Sequence, residues 1–159
     1  MISNLQNLDR SSSTAPGSVV VNSVGIRRLL TMSGVNTKVL WSDEIPEHED
    51  ISNSVNDVAM SPDGTRAVAA VGNRVLLYDA KTGKLLESLR GHKDVVTAVD
   101  YSFDGSHFAS GGKDKVVVIW KASGQGKLKY NHSSSIQRIK YSPSSFMLAS
   151  CADVSIDDF

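Results

Sequence analysis

Cysteine is almost missing from this sequence, in which Cys151 stands alone. A single thiol excludes an internal disulfide and the paired thiols of a zinc ribbon, and it suits a reducing compartment. Long apolar runs are missing too. A membrane-spanning helix needs about 18 or more uninterrupted apolar residues, and even "SVVVNSVGIRRLL" is broken by Asn22, Arg27 and Arg28. Direct membrane insertion is therefore not expected. Neither sign of charge is in excess, since Lys plus Arg and Asp plus Glu each number 17. Without a basic field, nucleic acid is not an expected partner.

What is present is the composition of an ordinary globular chain: 159 residues, 40% of them apolar and 21% charged. Residues 1–38 stand apart, being rich in serine and carrying Arg10, Arg27, Arg28 and Lys38 against Asp9 alone. That composition resembles a weak organelle transit peptide, but the favoured reading is a disordered N-terminal extension.

The remainder repeats itself. "VNDVAMSPDGTRAVAA" from Val55, "VTAVDYSFDGSHFASG" from Val96 and "IQRIKYSPSSFMLASC" from Ile136 share their apolar positions, a serine and a later small pair. The serines Ser61, Ser102 and Ser142 lie 41 and 40 residues apart. Each unit runs in short apolar bursts bounded by turn residues, which is strand chemistry. In the second unit the pattern predicts strands at about 95–101, 107–111, 116–120 and 127–130, joined by "SFDG", "GGKDK" and "KASGQG". The first unit reads the same way, with turns at "SPDG", "GNR" and "AKTG".

A period near 40, four strands per unit and a tryptophan ending the third strand resemble the WD40 family of β-propellers. "RGHKDVVTAVDYSFDGSHFASGGKDKVVVIWK" carries the resemblance. The expected fold is all-β, with WD40-type blades of four antiparallel strands in an incomplete propeller. Residues 39–159 would form blades at about 51–90 and 91–131, with part of a third at 132–159. A ring closes with about 4 to 8 blades, so the sequence reads as the N-terminal part of a longer protein. The alternative is a small protein that completes its ring by oligomerising. "TKVLWSDE" at 37–44 reads as an outer strand for the last blade of such a ring.

In that family a polar network holds each blade. The resemblance implies His92, Ser110, Asp114 and Trp120 as its members here, with His132 and Ser150 as a partial network in the next blade. In the first unit the matching positions fall at Ile51, Ala70, Asn73 and Tyr78, so apolar packing is expected to replace the network there.

Several motifs also invite a functional reading. "GGKDK" offers glycines and Lys113 to a phosphate, but a P-loop opens a helix, whereas here "VVVIW" follows and favours a turn between strands. His92 and His132 lie one period apart and are equivalent positions on different blades, so no metal site is expected of them. Cys151 with His132 lacks the third group that a thiol nucleophile needs, and a core cysteine is expected instead. Lys127, Lys129, Arg138 and Lys140 read as a solvated face. No residues converge for catalysis, so no enzyme activity and no cofactor are expected.

A narrower likeness lies in "GKLKYNHSSSIQ", the "YSP" after it and "LASC". In these parts the chain is similar to the N-terminal blades of the intraflagellar transport protein 122 family, subunits of intraflagellar transport complex A. This likeness implies a non-catalytic scaffold for protein–protein interaction in retrograde ciliary transport, cilium assembly and ciliary import of membrane proteins. Its partners would be other complex A subunits and ciliary cargo adaptors. Its places would be the cilium or flagellum, the basal body and the cytoplasm. The alternative is a generic WD40 adaptor, such as the substrate receptor of a ubiquitin ligase.

Overall fold

The computed structural model describes residues 19–24, 27–33, 39–45 and 54–153. All its elements are strands. β1 (Val19–Val24), β2 (Arg27–Ser33) and β3 (Val39–Ile45) form an antiparallel sheet in chain order. β1 and β2 fall within residues 1–38, the stretch expected as an N-terminal extension; the rest of that stretch lies outside the described residues. The β-branched run "VVV" and the apolar "LLTM" satisfy strand chemistry locally, which the serine and arginine content around them hid. β3, expected as an outer strand for a last blade, pairs with β2 along one edge. Only five residues separate the two in sequence, so closing that loop costs little entropy.

The first blade is β4 (Val55–Met60), β5 (Arg66–Val71), β6 (Arg74–Asp79) and β7 (Leu85–Arg90). The second is β8 (Val96–Tyr101), β9 (His107–Gly112), β10 (Val116–Lys121) and β11 (Gly126–Asn131). In each, every strand pairs antiparallel with its sequence neighbours. β12 (Ile136–Tyr141) and β13 (Leu148–Ala152) form a third, two-stranded unit. Among the described residues the propeller is incomplete, with two four-stranded blades and a two-stranded part of a third in addition to the β1–β3 sheet.

The turns follow from their residues. Gly64 and Gly105 have φ of 68° and 69°, where a side chain would strain the backbone. Their N–H groups donate to Ser61 O and Ser102 O at 2.9 Å each. Asp63 and Asp104 tie the same turns, accepting the hydroxyls of Ser61 at 2.6 Å and Ser102 at 2.7 Å.

The core lies between blades. β5 alternates, sending Val68 and Ala70 to one face and Ala67, Ala69 and Val71 to the other. Val68, Ala70, Val75, Leu77 and Leu89 pack against Val96, Val99, Phe108, Val118 and Trp120 of the second blade. Ala98, Ala109 and Val117 of that blade pack in turn against Ile136 and Ile139 of the third unit. A strand buried on both faces needs apolar residues without interruption, which explains the runs "AVAAV" and "VVVIW".

Inner strands β4, β8 and β12 each carry a bulge at their second residue. The register steps from Val55 to Asp57, from Val96 to Ala98 and from Ile136 to Arg138. Asn56, Thr97 and Gln137 are thereby left out of the ladder, and a bulge re-aims its side chain. Asn56 Nδ2 donates to Val96 O at 2.8 Å and Thr97 Oγ1 to Ile136 O at 2.6 Å, each crossing to the next unit.

Candidate functional site

His92 lies in the connection between β7 and β8, Ser110 within β9, Asp114 in the turn after β9 and Trp120 near the end of β10. The structure brings all four together. His92 Nε2 lies 2.8 Å from Ser110 Oγ, and Trp120 Nε1 donates to the same oxygen at 2.8 Å. His92 Nδ1 lies 2.9 Å from Asp114 Oδ1 and 3.1 Å from Oδ2.

The direction of these bonds follows from what each group can donate. An indole N–H only donates, so Ser110 Oγ accepts from it and gives its own proton to His92 Nε2. The imidazole then carries its proton on Nδ1, where the carboxylate accepts it. Asp114 also accepts the Lys93 N–H at 2.9 Å, so the turn after β9 is fastened to the connection that leads into β8. The turn is tight: Lys115 has φ of 66°, the left-handed region that non-glycine residues seldom occupy.

Both glycines of "GGKDK" answer to packing rather than to a phosphate. A Cβ on Gly112 would lie 2.9 Å from Asp114 Oδ1 and 3.1 Å from His92 Nδ1, inside the network. One on Gly111 would lie 2.6 Å from both Ile136 Cγ2 and Ile139 Cδ1, inside the contact with the third unit. The Lys113 N–H is engaged by Val95 O at 2.8 Å.

Serine, histidine and aspartate in this order at these distances have the outline of a nucleophile, its base and an orienting acid. Their surroundings argue for a different role. Ser110 is 0% exposed, and its oxygen is capped by the indole. No substrate carbonyl reaches it. What the arrangement does is give every buried polar group a partner while fixing one packing of the blade.

In the third unit His132 and Ser150 meet at 3.2 Å near the surface. In the first, Ile51 lies outside the described residues. The position facing Ser110 needs correction: Ser110 pairs with Val118 and Ala69 with Leu76, so strand register puts Ala69, not Ala70, in its place. Tyr78 is fully buried in the apolar packing of that blade.

Cys151 is exposed, against the expectation of a core cysteine. Its counterpart Gly111 is covered by Ile136 and Ile139 of the following unit, and no described strand stands in that place beside Cys151. Sequence reasoning also missed Asn56, Thr97 and Gln137, although the signal was there. Each is a polar residue directly after the apolar residue that opens the strand, at the same place in all three repeats.

The fold has solved counterparts. The U3-55K structure superposes with a TM-score of 0.60 at 18% identity, covering 71% of this chain and 38% of that one, a likeness of fold alone. The sequence says more, because the model of the IFT122 first β-propeller matches residues 54–157.

The chain belongs to the IFT122 first-propeller family.

An intraflagellar transport protein 122 homolog of Xenopus tropicalis is 46% identical over 112 residues, 70% of this chain and 9% of that protein. The human homolog is 49% identical over 112 residues, again 70% of this chain and 8% of the relative. The chain thus spans under a tenth of the length of these IFT122 relatives, and the matched family domain holds both complete blades and the third unit.

Proposed function

We propose that this chain contributes propeller blades to a scaffold of the intraflagellar transport complex A type. Its role is to hold protein partners rather than to transform a substrate. The partners are other complex A subunits and ciliary cargo adaptors, and the places of action are the cilium or flagellum, the basal body and the cytoplasm. The work served is retrograde ciliary transport, cilium assembly and ciliary import of membrane proteins.

One observation carries this reading. Identity to the human IFT122 homolog is 49%, whereas a propeller of similar shape, U3-55K, manages 18%. Packing a blade does not demand the larger figure, so the excess supports a shared surface and a shared role. The polar network supports the scaffold half of the reading, since its Ser110 is sealed from any substrate.

Tagged full-length protein expressed in ciliated cells tests the proposal. It is expected in the cilium and at its base, and in one complex with complex A subunits. Recovery with a cullin-type ubiquitin ligase and no ciliary signal would overturn the proposal in favour of a generic WD40 adaptor.

A further inference from the structure

A cavity of about 360 Å³ opens between the two complete blades, where Arg90 and Gly91 face Trp120 and the outer strand β11. A four-stranded sheet stands on each side, so this is not a face awaiting a further unit. Its floor exists because two residues lack side chains. A Cβ on Gly91 would lie 2.6 Å from Trp120 Cη2, and one on Gly126 would lie 3.7 Å from Cζ3. The indole N–H is spent inward on Ser110, so the ring meets the cavity as an apolar edge. Val118 extends that surface on the same face, whereas Leu128, opposite Ile119 in the ladder, turns its side chain to the other face of the sheet.

The rim is cationic. Arg90, Lys127 and Lys129 line the opening, and no aspartate or glutamate does. Lys129 Nζ reaches across to Gly91 O at 2.9 Å, with further N–H groups to donate. β11 is the last strand of its sheet, exposed at all six residues. Four successive residues of it, 126–129, line the cavity, which therefore runs along the strand rather than over one side chain.

We propose that this groove binds an extended acidic segment of a protein partner. The segment lies along the edge of β11, where the strand's outward backbone groups are open to pairing. Its carboxylates meet Arg90, Lys127 and Lys129, and one of its apolar side chains rests on the edge of Trp120. Charge complementarity selects the occupant, and the indole edge favours a peptide carrying leucine or phenylalanine over a bare polyanion. This stands on the groove itself, whichever complex the propeller serves.

Fluorescence anisotropy with the full-length protein tests it. The probe is a fluorescein-labelled peptide, Asp-Glu-Leu-Asp-Glu-Phe-Glu-Asp, and the control is the same peptide with each acid replaced by its amide. The acidic peptide is expected to bind about tenfold or more tightly than the control. Arg90→Glu and Lys127→Glu, both at the surface, should each weaken it by about tenfold at unchanged melting temperature. Gly126→Val, which covers the indole edge from the groove side, should weaken it by about threefold or more. Equal binding of the two peptides, or charge reversals without effect, would overturn the proposal. So would heparin binding that outcompetes the peptide and ignores Gly126→Val, which would mark a polyanion surface. Lysine variants that aggregate yet bind the peptide as before would also overturn it, leaving Lys127 and Lys129 as guards of a strand edge.

Discussion

Trp120 donates its indole N–H to the Ser110 hydroxyl 2.8 Å away, at a point where Ser110 has no contact with solvent. Both lie on adjacent strands of one sheet, so the bond ties β10 to β9 beyond the backbone ladder. The same hydroxyl serves His92, which makes it the shared member of the network.

Removing that hydroxyl is therefore expected to cost more than one hydrogen bond. Ser110→Ala strands the indole N–H and His92 Nε2 together, and two buried groups without partners cost about 2 to 4 kcal/mol. Trp120→Ala should cost about 3 to 5 kcal/mol through the cavity it opens. Urea unfolding of the second blade, followed by the loss of tryptophan fluorescence for Ser110→Ala and by circular dichroism for Trp120→Ala, measures both. A change below about 0.5 kcal/mol for Ser110→Ala would mean that the network does not hold the blade.

Gly111→Ala is expected to act at a distance from its own sheet. The new methyl meets Ile136 and Ile139, which are 0% and 1% exposed and have no room to yield. Overpacking of this kind costs about 1 to 3 kcal/mol. Amide hydrogen exchange should quicken in residues 136–152 and stay unchanged in 54–71. Uniform quickening, or none, would contradict the close approach.

The period and the turns made most of this fold legible. Strands expected at about 95–101, 107–111, 116–120 and 127–130 stand at 96–101, 107–112, 116–121 and 126–131, because each is bounded by residues whose turn chemistry is local. Register was legible in part. The 41-residue step from Ser61 to Ser102 already points from Ser110 to Ala69 rather than Ala70, and pairing with Leu76 settles it. Exposure was less legible still, since whether Cys151 is buried depends on what packs beside it and not on the residue. The four network positions were implied by the resemblance to the WD40 family, but the chain of bonds from Trp120 through Ser110 and His92 to Asp114 was not legible, because it depends on how the turn at Lys115 folds back.

Tyr101 presents the opposite case to Ser110. Its hydroxyl is buried without a hydrogen-bond partner, and burial pushes its pKa up to about 12. Tyr101→Phe keeps the ring packed near Phe108, with centroids 5.3 Å apart in the native pair, and removes an unsatisfied donor. The variant should be more stable by about 1 kcal/mol in urea unfolding. A loss of stability would show that the hydroxyl has a partner.

Acid should loosen the turns before the core. The hydroxyls of Ser106 and Ser102 hold Asp104 at a pKa of about 2, below its usual 3.8. Ser61 and Thr65 do the same for Asp63, also to about 2. A carboxyl with a depressed folded pKa contributes stability above its unfolded value, and that stability is lost as pH falls through the folded one. The melting temperature should therefore drop between about pH 4 and pH 2. In Asp104→Asn the drop should be shallower in that window. An unchanged slope would show that the turn carboxylate adds nothing to stability.

The bulged side chains also carry a meaning in time. Asn56 finds its acceptor 40 residues later in the chain, at Val96, and Thr97 finds its own 39 residues later, at Ile136. Within a blade, by contrast, each strand pairs with the one just made. At synthesis rates of about 5 to 20 residues per second, a finished blade waits roughly 2 to 8 s before the ribosome delivers the strand that covers it. During that interval its apolar face is open and the bond from its bulged side chain to the next unit is unmade. The face presented to the next blade is thus, briefly and in every repeat, the one a chaperone would meet.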